Sequence, residues 1–327
     1  MTTSIIAQLD TFGPTNCSSV SMSQAQRYTR QLTRAHGENF SVLTPLVPRH
    51  LRQPMADIYA FCRWADDLAD QTGDRERSIE LLQWWRDELH RAFDATPRHP
   101  VFVALQPTIT RFSLPGQPFH DLIDAFIQDQ HVTEYERWDA LLDYCRRSAN
   151  PVGRLMLHLT GISTSETRAL SDATCTALQL TNFWQDVRRD WLERGRVYIP
   201  RDVAQLYNFD PSRIPELIEQ RTDSRPKRHE STNAPHTDLV GQRPRHQLQA
   251  TVRDLVDRTW PMFQQGRELW PRVPRSMQPT IRLCTLGGEG VLKKIEQQQY
   301  DTARHRPRLS RLEKLMLIGL VLPRRLY

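Results

Sequence analysis

Two stretches of the sequence set carboxylates at helical spacing, and these are the residues whose chemistry can be read first. In Gln179–Pro200, QLTNFWQDVRRDWLERGRVYIP, a projection at 100° per residue brings Gln179, Asn182, Asp186 and Asp190 into an arc of about 80°. In Ile58–Asp70, IYAFCRWADDLAD, the same projection puts Tyr59, Arg63, Asp66 and Asp70 on one narrow face, with Asp67 just beside it. Such faces are poor core material, because a buried carboxylate needs a partner or a bound cation. A solvated helix face is the ordinary fate of a charged stripe. Here, however, like charges at i,i+4 cost each helix roughly a few tenths of a kcal/mol per pair, and they recur between apolar neighbours such as Phe61, Trp64, Phe183 and Trp184. That pattern predicts a function outweighing the cost. Asp and Asn oxygens in file are hard ligands that suit Mg2+, whose octahedron substrate phosphate and water usually complete. Facing each other, the two stretches could hold two or three Mg2+ ions around one diphosphate.

The elements that must position them are helices. Periodicity is helical from Ser23 to Phe93, with Pro45, Pro48 and Pro54 near helix ends, and His120–Gln130 carries apolar residues at 122, 123, 126 and 127. Leu141–Ser148 is helical, and Asn150-Pro-Val-Gly153 marks a break before a further apolar helix. Ser163 and Glu166 have the spacing of a capping box opening the helix that runs into the second aspartate stretch. Helical patterning resumes over Leu248–Leu269 and Ile281–Gln299. No alternating strand pattern with turn signals occurs, so the expected fold class is all-α, a single helical bundle around a central cavity. Residues 1–22 read as a flexible arm and 23–327 as the helical domain. Residues 221–246, rich in Arg, Pro, Ser, Thr, Asn and His, read as a disordered insertion, since they offer too little apolar surface to offset ordering entropy.

The pairing of YAFCRWADDLAD with QLTNFWQDVRRDWLERGRVYIP resembles the squalene and phytoene synthase family, as do the intervening NFSVLTPLVPRHLRQPMADIYAF and DAFIQDQHVTEYERWDALLDYCRRSANPVG, so that roughly residues 25–305 can be laid along it. The resemblance implies an isoprenoid-synthase-type bundle in which two aspartate motifs bind Mg2+ and diphosphate on opposite walls of a cavity. It directs Asp66, Asp67, Asp70, Asn182, Asp186 and Asp190 to metal, and Arg63, Gln179, Asn182 and Arg196 to diphosphate. It makes Tyr59, Arg63, Asp129, Tyr144 and Gln185 the candidate catalytic residues. For Asp129 an exposed carboxylate at a helix end stays open, and for Tyr144 a packed tyrosine with its hydroxyl satisfied. Trp64, Phe183 and Trp184 are expected either in the core or lining an apolar tunnel for isoprenoid tails, where π faces stabilise cations.

SANPVGRL, NFWQDV with Gln185 where squalene and phytoene synthases usually carry Arg, HGENF, LGGEGVLKKIE and YDTARHRPRLSRLEKL resemble the hydroxysqualene synthases of bacterial hopanoid synthesis. That branch implies ionisation of presqualene diphosphate and capture of the cation by water, with NADPH not expected. LGGEG is not a dinucleotide fingerprint, since no G-x-G-x-x-G follows a strand. The alternatives are a squalene or phytoene synthase condensing two prenyl diphosphates, and a non-catalytic assembly factor with the same fold. The latter predicts eroded aspartates, whereas Asp66, Asp70, Asp186 and Asp190 are all present.

The 327 residues are 39% hydrophobic and 8% aromatic, the balance of a globular chain, and no run approaches a spanning helix. The start lacks the basic residues and apolar run of a secretory signal. Five cysteines, none spaced C-x-x-C, fit reduced thiols, and the expected location is the cytoplasm. A net charge of +6 suits a polyanionic partner, but no aromatic-interleaved basic stripe suggests nucleic acid. Much of the excess lies in the tail, HRPRLSRLEKLMLIGLVLPRRLY. Its apolar run with basic flanks fits a helix lying at the inner membrane surface, or a terminal helix packed on the domain.

Overall fold

The computed structural model describes residues 4–16, 20–35, 46–219 and 238–322. Its helices are α1 (Ile5–Phe12), α2 (Met22–Ala35), α3 (Arg52–Asp70), α4 (Arg75–Asp94), α5 (Pro100–Phe112), α6 (Gln117–Gln128), α7 (Trp138–Ser148), α8 (Asn150–Leu159), α9 (Ser165–Gln185), α10 (Val187–Arg194), α11 (Arg201–Gln205), α12 (Ile214–Glu219), α13 (Asp238–Arg267), α14 (Gln278–Gln297) and α15 (Arg311–Val321). Among the described residues there is no sheet, only an isolated parallel bridge between Glu134 and Val197. The fold is thus all-α and forms one helical bundle.

Three apolar clusters organise it, and each of the two larger ones carries one aspartate stretch. In the first, α3 buries Ile58, Phe61, Trp64 and Leu68 at helical intervals against α4, α5 and α6. Trp64 stacks on Trp85 at 5.4 Å and 10°, and the buried, neutral ring of His99 meets Trp64 edge-on at 4.3 Å. Truncating a residue such as Phe61, which meets Trp85, Phe102 and Phe119, would cost about 3–5 kcal/mol. In the second core, α9 packs along α13 and α14 through Leu180 and Trp184, whose Nε1 donates to Thr259 Oγ1 at 3.0 Å. Trp64 and Trp184 are therefore core residues, not tunnel wall.

The break falls at Ala149: α7 ends at Ser148, and residues 150–153, expected to form it, open α8. Asn150 Oδ1 accepts from Thr176 Oγ1 at 2.9 Å, and Gly153 lets α8 lie on α9: a Cβ there would come within 2.4 Å of Ser171 Oγ. The cap of α9 falls one residue later than expected. Thr164 accepts from the Thr167 N–H at 3.1 Å, and the Thr167 hydroxyl accepts the Thr164 N–H at 2.9 Å.

Two expectations for the periphery change. Part of the supposed arm folds as α1, because Ile5, Ile6, Leu9 and Phe12 make an apolar stripe; Ile5 is buried, and Gln8 accepts from Tyr28 Oη at 2.8 Å. Of the supposed insertion, 221–237 lie outside the described residues, as do 36–45, which include HGENF. Residues 238–246, by contrast, belong to α13, where Pro244 is buried and Arg245 pairs with Asp301. Helix propagation from the Leu248–Val252–Leu255 stripe accounts for that extension.

Candidate active site

The first wall is the C-terminal half of α3, opposite the face that carries Trp64. Arg63 lies between two carboxylates, 3.4 Å from Asp66 Oδ2 and donating through Nε to Asp67 Oδ2 at 3.1 Å. Asp67, also hydrogen-bonded by Gln71, is buried. Asp66 is 37% exposed at the rim. Burial of its surroundings, and then the Asp70 charge, push its carboxyl up to about 7.

The second wall grows from the end of α9. The helix is interrupted at Asp186, but the Asp186 N–H still reaches Asn182 O at 2.9 Å and the Asp190 N–H reaches Asp186 O at 2.8 Å. The file of polar residues expected on one face is therefore kept across the break. Gly195, at φ +62, then reverses the chain after α10, a left-handed turn that suits glycine. The turn sends Arg196 back across to α3, which Arg194 reaches from the end of α10. Arg194 bridges the walls, donating through Nε to Asp70 Oδ2 at 2.7 Å and through Nη1 to Asp190 Oδ1 at 3.2 Å. Arg196 donates to Asp70 Oδ1 at 3.1 Å. Burial, and then the Asp186 charge, push Asp190 up to about 7.

A third group closes the far side. Gln130 Nε2 donates to Ala69 O at 3.1 Å, fixing the end of α6 against the end of α3. The neighbouring Asp129 accepts from Tyr144 Oη at 2.8 Å and stands 3.6 Å from Arg196 Nη1. Its carboxyl is pushed up to about 6 by burial, against the opposing pull of Arg196. Asp129 Oδ1 is buried and has no hydrogen-bond partner among the described residues. Around it, Tyr135, Tyr144, Phe183 and Tyr198 form an aromatic cluster, with Phe183 and Tyr198 stacked at 3.9 Å.

The structure thus brings Arg63, Asp66, Asp67, Asp70, Asp129, Tyr144, Asp186, Asp190 and Arg196 together. Asn182, exposed, and Gln179, half-buried, lie on the approach along α9, and Tyr59 lies one turn before Arg63 on α3. Gln185 is the last residue of α9. It is buried, and its amide donates to Pro307 O, tying down the chain between α14 and α15. Its Oε1 is buried and has no hydrogen-bond partner among the described residues. In the tethered segment, Arg306 donates to Asp186, its Nη2 lying 2.9 Å from Oδ2.

Arg194, Tyr198 and Arg306 escaped the sequence reading. Arg194 had a signal, the i,i+4 acid-to-base spacing from Asp190. Tyr198 also had one, its alternation with Arg196 in extended chain. Arg306 had none beyond a basic run.

Among the described residues, no three acidic, His or Cys side chains converge into a ready metal cluster. Arginines stand between the carboxylates instead. The donor set still fits Mg2+: Asp66, Asp70, Asp186 and Asp190 offer hard oxygens, and a single guanidinium spans the two walls.

The site is thus a helical bundle's cleft with two opposed aspartate pairs and a guanidinium between them. The profile of the squalene/phytoene synthase family matches residues 33–313, and the chain belongs to that family. It is 32% identical over 201 residues to a 15-cis-phytoene synthase of Synechococcus elongatus, covering 58% of this chain and 65% of that one. It is 37% identical over 174 residues to a hydroxysqualene synthase of Zymomonas mobilis, covering 51% and 56%. The matches thus span less than two thirds of those two relatives. A crystal structure described as squalene synthase HpnC from Alicyclobacillus acidocaldarius superposes with a TM-score of 0.73 and 38% identity, over 87% of this chain and 98% of that one.

Proposed function

We propose that the protein is an enzyme acting on prenyl diphosphates, and that its reaction is the Mg2+-dependent conversion of presqualene diphosphate to hydroxysqualene. The observation that carries the reading is Arg194 bridging Asp70 and Asp190, which sets the two carboxylate walls one guanidinium apart. Held by Asp66, Asp70, Asp186 and Asp190, with Asp67 and Asn182 nearby, Mg2+ would neutralise charge on the departing diphosphate. Arg63 and Arg196 would exchange their carboxylate partners for diphosphate oxygens, which a planar guanidinium can grip in pairs. The Phe183–Tyr198 stack offers π faces beside the site. Asp129 Oδ1, an open buried acceptor, would take the proton from the water that captures the cation, with Tyr144 and Arg196 orienting the carboxylate.

The hydroxysqualene product is supported by the Zymomonas mobilis relative and by Gln185 where squalene and phytoene synthases usually carry Arg; the HpnC structure, alike over nearly its full length, is described as a squalene synthase. The phytoene synthase relative and the arginine that Arg306 adds beside Asp186 favour the second reading, condensation of two prenyl diphosphates. Purified protein with Mg2+ should turn presqualene diphosphate into hydroxysqualene without NADPH, as read by gas chromatography and mass spectrometry. Phytoene or dehydrosqualene from a prenyl diphosphate, or squalene made only with NADPH, would replace that product assignment. Inertness towards presqualene diphosphate and prenyl diphosphates alike would overturn the enzymatic reading.

A further inference from the structure

The C-terminal helix α15 turns its apolar face outward. It starts in a capping box, Ser310 with Glu313, and lies along α14. The side against the body carries Val321, buried, with half-buried Glu313, Lys314 and Leu317. The Glu313 carboxylate meets Lys294 Nζ at 2.6 Å. The opposite side presents Leu312, Leu315, Met316 and Leu320, each between 64% and 69% exposed. A surface helix bathed in water arranges itself the other way, with leucines inward and charges outward. A contiguous apolar face left outside marks an interaction surface.

We infer that this face docks on an anionic lipid bilayer, with α15 lying in the plane of the interface. Charge selects lipid over a second copy of the chain. From 304 to 322 the basic residues besides Arg306, which is engaged by Asp186, are Arg304, Arg308, Arg311 and Lys314, the one acid is Glu313, and that acid is engaged by Lys294. Arg304, Arg308 and Arg311 are exposed. Two copies meeting through this face would bring two basic rims together with no acid from this segment to answer them, whereas acidic headgroups complement the rim. Length separates lying from spanning. At 11 residues, α15 is about 16 Å long, against a hydrocarbon core of about 30 Å. No helix of the described residues is long and apolar enough to cross a membrane. An interfacial helix needs only to sink its apolar side about 5–10 Å among headgroups and upper acyl chains. The inference does not depend on which diphosphate the site handles.

The test is flotation of the full chain with vesicles of equal parts phosphatidylglycerol and phosphatidylcholine, against phosphatidylcholine alone. The wild type should float with the anionic vesicles and release at about 0.5 M salt. The triple variant Leu312→Gln, Leu315→Gln, Met316→Gln should partition on the order of 100-fold less, with an unchanged circular dichroism melt because these side chains are already exposed. The pair Arg308→Gln, Arg311→Gln should partition about 30-fold less. Independently, a Leu315→Trp probe should shift its emission to the blue on anionic vesicles. The inference is overturned by a wild type that stays in solution, by a triple variant that floats equally well, or by a lipid-free dimer in light scattering that the triple variant dissolves.

Discussion

Asp57 is a buried acid on α3, two turns before the aspartates, and its titration should set much of the pH dependence of stability. It is fully buried and accepts hydrogen bonds from Thr29 Oγ1 at 2.7 Å, Gln53 Nε2 at 2.6 Å and Thr108 Oγ1 at 3.0 Å, so it ties α2, α3 and α5 together. Burial pushes its carboxyl from 3.8 up to about 7, the three donors offsetting only part of the effect. Because the folded value is the higher one, the folded protein holds a proton that the unfolded chain has lost. The resulting stabilisation is fully present below the unfolded value and is lost as pH rises through the folded value. Between pH 5 and pH 8 the Asp57 contribution should fall by about 2–3 kcal/mol. Asp57→Asn mimics the protonated form, its amide able to donate to Thr108 as the acid proton would. Urea denaturation followed by circular dichroism across this range should show the variant gaining on the wild type by that amount as pH rises. Other raised carboxyls, Asp66, Asp129 and Asp190, titrate in both proteins and cancel in the difference. A difference that stays flat from pH 5 to pH 8 would refute the argument.

Asp66→Ala and Asp186→Ala, like removal of Mg2+ by chelation, should lower turnover by on the order of 10³-fold or more while the circular dichroism spectrum stays native; a variant with wild-type turnover would remove these residues from the metal site. Arg194→Gln should cost about 1–3 kcal/mol in urea denaturation, less than a fully buried pair because the side chains keep some exposure, and unchanged stability would mean the bridge holds nothing together. Deletion of 221–237 should leave turnover within a few fold, whereas extending it through His246 removes the Arg245 pairing with Asp301 and should lower the melting temperature; equal melts for the two deletions would contradict the helical assignment of 238–246.

What the sequence disclosed followed the helical period. The faces of α3 and α9–α10 were legible because four-residue spacing survives even the interruption at Asp186. The same period placed Trp64 about 160° from Asp66 and Trp184 about 160° from Asp186, and both are buried in the two cores. The arginine partners were hidden for another reason. Asp70 meets Arg194 and Arg196, and Asp186 meets Arg306, across more than a hundred residues, and no local spacing encodes such pairs. The contact of Gln185 was hidden likewise, since its partner is a backbone carbonyl far along the chain. The tail showed its apolar run and basic flanks in sequence, but which side of α15 faces the body depends on the pairing of Glu313 with Lys294.

The separation of those arginines from their carboxylates bears on how the chain reaches its folded state. Arg194 and Asp70 are 124 positions apart and Arg306 and Asp186 are 120 apart, so each pair closes a long loop whose entropy must be spent before the contact forms. Contacts within the first core, such as Phe61 with Trp85 or Trp64 with His99, close much shorter loops. The first core is therefore expected to consolidate early, with these long-range pairs closing late. Interactions made after the rate-limiting barrier act on the escape rate from the native state and leave its formation rate nearly untouched. Stopped-flow measurements on Arg194→Gln should accordingly show faster unfolding with little change in refolding, and slowed refolding would place this bridge in the nucleus.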